Sequence, residues 1–108
     1  MNFKTHNDKK IKTNRTSLAG KFHASFGQLL ETFGTPMGQS PDNKVDVEWH
    51  VEVEGYGGPL TIYNWKNGVA YLGSEGLNPT DINTWNIGAE KEGKFHAEQV
   101  IHTILNGE

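Results

Sequence analysis

Residues 44–54 carry the clearest pattern in the chain, a strict alternation of apolar and polar side chains. The apolar positions are Val45, Val47, Trp49, Val51 and Val53. A period of two places these side chains on one face of a strand and the intervening polar ones on the other. The pattern therefore predicts a half-buried strand over 44–54 in an antiparallel sheet with one solvent-exposed face.

Two other segments have helical spacing. The first has apolar residues at i, i+3, i+4 and i+7, begins with a capping box at Ser25 and is followed by Gly34, which predicts a helix over 26–33. The second, 94–106, has a single apolar stripe and is predicted to be the last helix.

The remaining elements are short strands, predicted at 16–23, 60–66, 69–72 and 83–89. Asn67-Gly68 separates the second of these from the third. This dipeptide favours a type I′ hairpin turn, because both central positions of that turn need a positive φ.

The predicted elements give one domain at 16–108, preceded by a polar and aperiodic stretch at 1–15. That stretch is predicted to be a flexible basic N-terminal arm, since it has few apolar groups to anchor it. The domain is predicted to be α+β, with an antiparallel sheet of about four to five strands and two helices packed on one face.

The composition excludes several kinds of functional site. The chain has 108 residues and no cysteine, which excludes a disulfide framework, a thiolate metal site and a cysteine nucleophile. The five histidines fall at no metal-site spacing, and no nucleophile motif, phosphate-binding loop or kinase-like signature is present. The sequence therefore predicts a non-enzymatic protein with no catalytic residue, no metal and no cofactor.

The sequence also predicts the cellular location of the protein. No apolar run reaches the ~18 residues that a membrane span needs, and no apolar stretch follows the basic N-terminus. We therefore expect neither a membrane span nor a secretory signal. The lack of cysteine favours an intracellular setting, so the predicted location is the cytoplasm.

Charge is unevenly distributed along the chain. Residues 1–40 carry six Lys or Arg against two acids, whereas residues 41–108 carry four Lys against eleven acids. A basic arm at 4–15 is one pattern of nucleic-acid binding. The basic residues of the arm are separated by Asn and Thr, and residues 41–108 are acidic. Both facts argue against a nucleic-acid partner and favour a solvated tail.

The polar side of the predicted strand 44–54 is a candidate partner-binding face. Its members are Asp46, Glu48, His50, Glu52 and Glu54. A row of carboxylates on a wet face lacks the environment that separates pKa values for acid–base catalysis. Two interpretations remain open, an ordinary solvated face or a negative surface presented to a basic partner.

A second candidate site is aromatic. Its members are Tyr63, Asn64, Trp65, Lys66, Tyr71 and Trp85. Rings beside an amide and a cation can stack a base and hold a phosphate, which predicts a nucleotide ligand. The alternative is ordinary packing, since Tyr and Trp are common in strands. A pocket would form at a subunit interface of a homo-oligomer, because so small a domain has little interior to spare.

Several strings along the chain together resemble one family. They lie at 16–20, 29–36, 44–49, 61–66, 71–73, 75–77 and 85–88, and include L-x-x-x-F-G-x-P, K-V-x-x-E-W, T-I-Y-N-W-K, Y-L-G and W-x-I-G. This set, spread over about 16–106, resembles a group of small tailed-bacteriophage proteins that have no assigned activity.

The resemblance implies an accessory protein that acts in the cytoplasm of the infected cell. Small phage proteins of this kind often bind and inhibit a host factor, and anti-phage defence is the expected setting. Others sequester small nucleotide signals, so a nucleotide sponge is the alternative. The expected partner is accordingly a host protein or a small nucleotide.

Overall fold

The structure, a computed structural model, describes residues 2–7, 16–39, 42, 44–56, 58–91 and 96–107. Five strands and three α-helices lie in this part of the chain. In order they are β1 (Phe3–Thr5), β2 (Ser17–His23), α1 (Phe26–Phe33), β3 (Glu48–Val53), β4 (Pro59–Tyr63), α2 (Val69–Leu72), β5 (Thr84–Ala89) and α3 (Ala97–Leu105). Two single-turn 3-10 helices, Gly73–Glu75 and Pro79–Asp81, lie between α2 and β5. The predicted α+β class is confirmed.

The five strands form one antiparallel sheet in the order β1-β3-β4-β5-β2. Trp49 of β3 lies opposite Ile62 of β4, which in turn lies opposite Ile87 of β5. Since paired residues in neighbouring strands point to the same face, a continuous apolar row crosses the centre of the sheet. This row forms the floor of the core.

Helices α1 and α3 cover the apolar face, as the sequence predicts. Helix α1 has the predicted bounds: Ser25 Oγ accepts the backbone N–H of Gln28 at 3.0 Å, and the Gly34 N–H donates to the Leu30 carbonyl at 2.9 Å. These contacts satisfy backbone groups that a helix terminus otherwise leaves unpaired. Helix α3 begins at Ala97, and residues 94 and 95 of its predicted range lie outside the described residues.

Two tryptophans occupy the centre of the core. Trp49 and Trp85 are fully buried, and their rings meet edge to face with centroids 5.6 Å apart. The indole N–H of Trp49 donates to the Gly34 carbonyl at 2.7 Å, and that of Trp85 to the Ala24 carbonyl at 2.9 Å. Each ring is therefore buried without leaving its polar atom unpaired.

The prediction of a flexible arm at 1–15 is wrong for its first residues, because residues 3–5 form β1. Phe3 lies opposite Val53 and packs edge-on against Phe33, with centroids 5.5 Å apart. Asn7 then joins two elements: its side chain donates to the Phe33 carbonyl at 2.8 Å and accepts the His50 N–H at 3.1 Å. One partly buried aromatic and one bridging amide thus anchor a stretch that is otherwise polar. Residues 8–15 of the predicted arm lie outside the described residues.

The predicted hairpin at Asn67-Gly68 is also wrong. Strand β4 ends at Tyr63, and the predicted return strand at 69–72 is the short helix α2. Gly68 has a φ of −102°, so the backbone does not adopt a type I′ turn there, and the positive φ of 58° falls on Lys66. The long-range contacts of Asp46, described below, override the local preference of the dipeptide.

The strand predicted over 44–54 is shorter than its alternation suggested. Its core side is as predicted, since Val45, Trp49, Val51 and Val53 are buried. The ladder begins only at Glu48, because the backbone N–H groups of residues 46 and 47 bond to a side chain instead of a neighbouring strand.

Candidate functional site

The segment between β4 and β5, residues 64–83, carries most of the exposed apolar side chains of the described chain. Seven large apolar side chains are exposed among the described residues, and five of them belong to this segment. These five, which we call the aromatic patch, are Trp65, Val69, Tyr71, Leu72 and Leu77, each 43–48% exposed. Such a concentration of apolar surface in one segment marks a candidate binding surface.

Asn64 anchors the segment where it leaves β4. Its buried amide oxygen accepts the backbone N–H groups of Asp46 at 2.8 Å and Val47 at 3.2 Å. Its amide nitrogen donates to Asp46 Oδ1 at 2.9 Å and to Asn67 Oδ1 at 3.0 Å. All four hydrogen-bonding positions of the amide are therefore used, which fixes the side chain in one orientation.

Asp46 completes this anchor, which we call the Asp46–Asn64 clasp. Its Oδ2 accepts the backbone N–H of Ala70 at 3.2 Å, in the first turn of α2. Gly68 packs directly on the carboxylate, and a Cβ at that position would overlap it. Because burying a carboxylate is costly unless hydrogen bonds replace water, the clasp holds both the carboxylate and the start of α2 in place.

Leu77, near the end of the segment, lies back against residues 67 and 68 near its start. The Leu77 N–H donates to the Asn67 carbonyl at 2.9 Å, and residues 68 and 77 form an isolated parallel bridge. Gly76 lies against the Gly68 backbone so closely that any side chain at 76 would overlap it. The aromatic patch therefore stands on a closed loop fixed to the sheet.

Two lysines flank the exposed rings of the patch. The ammonium groups of Lys44 and Lys66 each lie 5.6 Å from the centroid of Trp65, and that of Lys66 also lies 5.5 Å from Tyr71. Such cation–π contacts stabilise the positions of both ring and cation. A backbone hydrogen bond of 2.8 Å, from the Lys66 N–H to the Lys44 carbonyl, brings the two lysines side by side.

Tyr63, the last residue of β4, borders the patch. Its ring meets Trp65 edge to face, with centroids 6.1 Å apart. Burial raises the pKa of the Tyr63 phenol above its usual value, and the nearby Glu48 carboxylate raises that pKa further, while a hydrogen bond with Asn86 acts in the opposite direction. The phenol is therefore neutral at physiological pH and remains a hydrogen-bond donor.

Four of the six residues predicted as ligand contacts come together at this site, namely Tyr63, Trp65, Lys66 and Tyr71. The other two have structural positions. Asn64 belongs to the clasp, and Trp85 is fully buried in the core, where no ligand can reach its ring without unfolding. The prediction of a ligand contact at Trp85 was wrong, because strand position alone did not show which face the ring occupies.

The predicted acidic face, Asp46, Glu48, His50, Glu52 and Glu54, is divided in the structure. Asp46 lies in the clasp and His50 is buried, so the prediction that they face solvent was wrong. Glu48 is hydrogen-bonded to His50 Nε2, while His50 Nδ1 has no hydrogen-bond partner in the described part of the chain. Alternation in β3 identified the core side, but it could not show that part of the second side is also covered.

Only the far end of this acidic row is exposed. Glu52 contacts His6 Nε2 at 3.3 Å, and Glu54 accepts a hydrogen bond from the Asn2 side chain at 3.0 Å. Both partners lie beside the edge strand β1, on the N-terminal stretch that the sequence did not place in the sheet.

Sequence reasoning missed three aliphatic members of the patch, Val69, Leu72 and Leu77, and the flanking Lys44. The spacing of Val69 and Leu72, i and i+3, is compatible with a helical turn, so a signal for their shared side was present. No local signal marks Lys44, because its position depends on a backbone contact with Lys66.

Three surface depressions lie elsewhere on the molecule, with volumes of about 540, 310 and 460 Å³. The largest lies at the β1–β3 edge beside Tyr56, the second beside α3, and the third at the C-terminal end of α1. None of the residues lining these three belongs to the aromatic patch.

In the described ranges, no three His, Asp or Glu side chains gather in a way that could hold a metal ion. Likewise, none of the helices placed by the structure has the length and apolar character needed to cross a bilayer. Comparison with protein-family models and with curated proteins gives no match.

Proposed function

We propose that this chain is a non-enzymatic binding protein that contacts another protein through the aromatic patch. One observation carries the proposal: of the seven large apolar side chains exposed among the described residues, five belong to one segment, which is closed between residues 67 and 77 and held by a buried clasp. Interfaces between proteins are enriched in Trp and Tyr, and an exposed apolar cluster of this kind is typical of them. A fixed loop also loses little conformational freedom on binding.

The patch supports a protein partner better than a small molecule. Sites for small molecules are concave and bury most of the ligand. The rings of Trp65 and Tyr71 are nearly half exposed, and the three depressions described above are lined by other residues. Aliphatic Val69, Leu72 and Leu77 also suit apolar side chains of a partner.

The resemblance to small phage proteins supports a host-cell protein as this partner, with inhibition of that protein as the outcome and the host cytoplasm as the setting. The patch replaces the acidic row as the proposed contact. Asp46 and His50 are buried, so of that row only Glu52 and Glu54 are exposed.

A capture experiment tests the proposal. Tagged wild-type protein and the variants Trp65→Ala and Leu72→Ala are incubated with host lysate, and captured proteins are quantified by mass spectrometry. We expect one partner to be retained by the wild type and lost from both variants. Leu18→Ala is the matched control, because Leu18 is 54% exposed on β2, outside the patch.

The acidic row is examined in the same experiment through Glu52→Lys. Equal capture by wild type, Trp65→Ala and Leu72→Ala would contradict the proposal. Loss of the partner from Glu52→Lys alone would return the contact to the acidic row.

One observation favours a second function, the nucleotide sponge: two ammonium groups lie 5.6 Å from the Trp65 ring, an arrangement that can pair a stacked base with a phosphate. A ligand that binds only the native state raises its melting temperature. A panel of cyclic and ADP-ribose-type nucleotides should then stabilise the wild type and leave Trp65→Ala unchanged. No shift with any member of the panel would remove this function.

Binding of nucleic acid through the basic arm 4–15 stays a prediction. Within that arm the structure describes residues 4–7, and the only Lys or Arg among these is Lys4, exposed on β1. Phosphate contacts would make any such affinity fall steeply with salt concentration, which a titration against oligothymidylate would reveal.

A further inference from the structure

We infer that the protein segment bound at the aromatic patch carries carboxylates beside its apolar side chains. The inference rests on the proposed function and specifies the chemistry of the partner. The inference is drawn from the positions of the lysines within residues 41–108, a range that is otherwise acidic.

Lysines are few in the acidic part of the chain, and half of them lie at the aromatic patch. Residues 41–108 contain four lysines against eleven acids, so this part of the chain is strongly negative. Two of those four lysines, Lys44 and Lys66, lie over the ring of the same exposed tryptophan. The aromatic patch therefore carries two of the few cations in a range that is otherwise strongly negative, and partner carboxylates would be favoured beside these two ammonium groups.

The charges of Lys44 and Lys66 make few ionic contacts within the described part of the molecule. Within the described residues, Lys66 has no carboxylate at ion-pair distance, and its ammonium group contacts only rings. Lys44 has one such neighbour, Asp42 Oδ2 at 3.9 Å, and both side chains of that pair are solvent-exposed. Exposed pairs of this kind contribute little, so a partner carboxylate can replace Asp42 at small cost.

The ammonium groups of both lysines lie against exposed rings. The backbone hydrogen bond from the Lys66 N–H to the Lys44 carbonyl brings the two residues side by side. The rings of Trp65 and Tyr71 restrict the ammonium groups further. Cations that are already positioned lose less freedom when they pair with a partner.

Carboxylates of a protein fit this site better than the phosphates of a nucleic acid. Val69, Leu72 and Leu77 supply exposed aliphatic surface in the same segment as Lys66, and such surface stacks no base but packs against apolar side chains. A nucleic acid would also bring a long row of negative charge past an acidic body, whereas a protein segment can place two or three carboxylates locally. The proposed occupant is therefore an acidic and apolar segment of a protein.

Selection from a displayed library of short random peptides tests this chemistry. The wild type is the target, and peptides that also bind Trp65→Ala are removed by counter-selection. We expect the enriched peptides to contain Asp or Glu next to Leu, Phe or Trp. Their binding to the double variant Lys44→Glu/Lys66→Glu should be at least about tenfold weaker, and replacing their acids with Lys should restore binding to that variant.

Thermal melting establishes that each variant is folded, and Lys44→Gln/Lys66→Gln serves if the charge reversal does not fold. Enriched peptides without excess acid, or with equal affinity for both double variants and the wild type, would overturn the inference while leaving the proposed function intact. If no peptide binds the wild type better than Trp65→Ala, the proposed function fails with it. Tight binding of oligothymidylate that Trp65→Ala abolishes would overturn the inference in favour of a nucleic acid.

Discussion

Trp49 and Trp85 are fully buried between the sheet and the helices, whereas Trp65 is 45% exposed in the aromatic patch. Both buried indole N–H groups donate to backbone carbonyls. That of Trp65 has no protein acceptor in the described ranges, and its ring is flanked by Lys44 and Lys66 instead. Tryptophan thus packs in the core in one region and is partly exposed to solvent in the aromatic patch.

The two regions are also stabilised by different contacts. The core depends on apolar burial under α1 and α3, and its polar atoms only complete the packing. The loop that carries the patch depends on the Asp46–Asn64 clasp and on close backbone approaches at Gly68 and Gly76, while its apolar side chains are left facing solvent. The difference teaches that burial holds the fold together, and that a polar anchor can hold apolar side chains available for a partner.

The largest expected effect is in the core. Trp85→Ala removes a fully buried ring and leaves the Ala24 carbonyl unpaired, so we expect the free energy of unfolding to fall by about 3–5 kcal/mol. Urea denaturation followed by circular dichroism measures this loss. Trp65→Ala is the matched control with the same chemical change. Equal urea midpoints for the two variants would show that the exposed ring contributes as much to stability as the buried one, which would contradict the difference between core and patch.

The sequence predicted the core far better than the patch, for a physical reason. The bounds of α1 follow from local signals, the cap at Ser25 and the stop at Gly34, and the buried side of β3 follows from a period of two. Helix α2 depends on a hydrogen bond that the Ala70 N–H donates to the Asp46 carboxylate, and these two residues are 24 positions apart in the chain. Local spacing cannot encode such a contact, so Asn67-Gly68 was predicted to be a hairpin turn.

The next effect concerns the clasp. Asn64→Ala removes four hydrogen bonds and leaves the buried Asp46 carboxylate with fewer donors, so we expect a loss of about 2–3 kcal/mol. Amide hydrogen exchange should accelerate over residues 66–77 more than in β3 or β5. Asn78→Ala is the control, since Asn78 is exposed and makes no side-chain cap bond. Uniform acceleration over the whole chain would mean that the loop is not separately anchored.

A smaller effect is expected in the patch itself. Tyr71→Ala removes a ring that is 48% exposed, so the free energy of unfolding should change by no more than about 0.5 kcal/mol. Capture of the partner should nevertheless be lost. A destabilisation comparable to that of Trp85→Ala, measured by the same urea denaturation, would show that the ring contributes to the fold and would weaken its assignment as a contact.

The smallest effect at neutral pH concerns Tyr63, at the boundary between the two regions. Because its pKa is raised in the folded state, its neutral form contributes stability that is present below pH ~10 and is lost as the pH rises through the folded-state pKa. Tyr63→Phe should therefore lose less stability than the wild type as the pH rises from 7 to above ~10. Parallel curves of stability against pH for the two proteins would show that folding does not raise the pKa of Tyr63.

Strands β1 and β2 are synthesised first, yet they lie at opposite edges of the sheet and pair with β3 and β5. A nascent chain therefore holds β2 without its neighbour until β5 has left the ribosome, and non-local pairing of this kind slows folding. We expect ribosome-bound chains that end before Thr84 to be cleaved readily within β2 by added protease. Chains long enough to expose α3 should resist cleavage there, because β5 pairs with β2 and α3 packs against it.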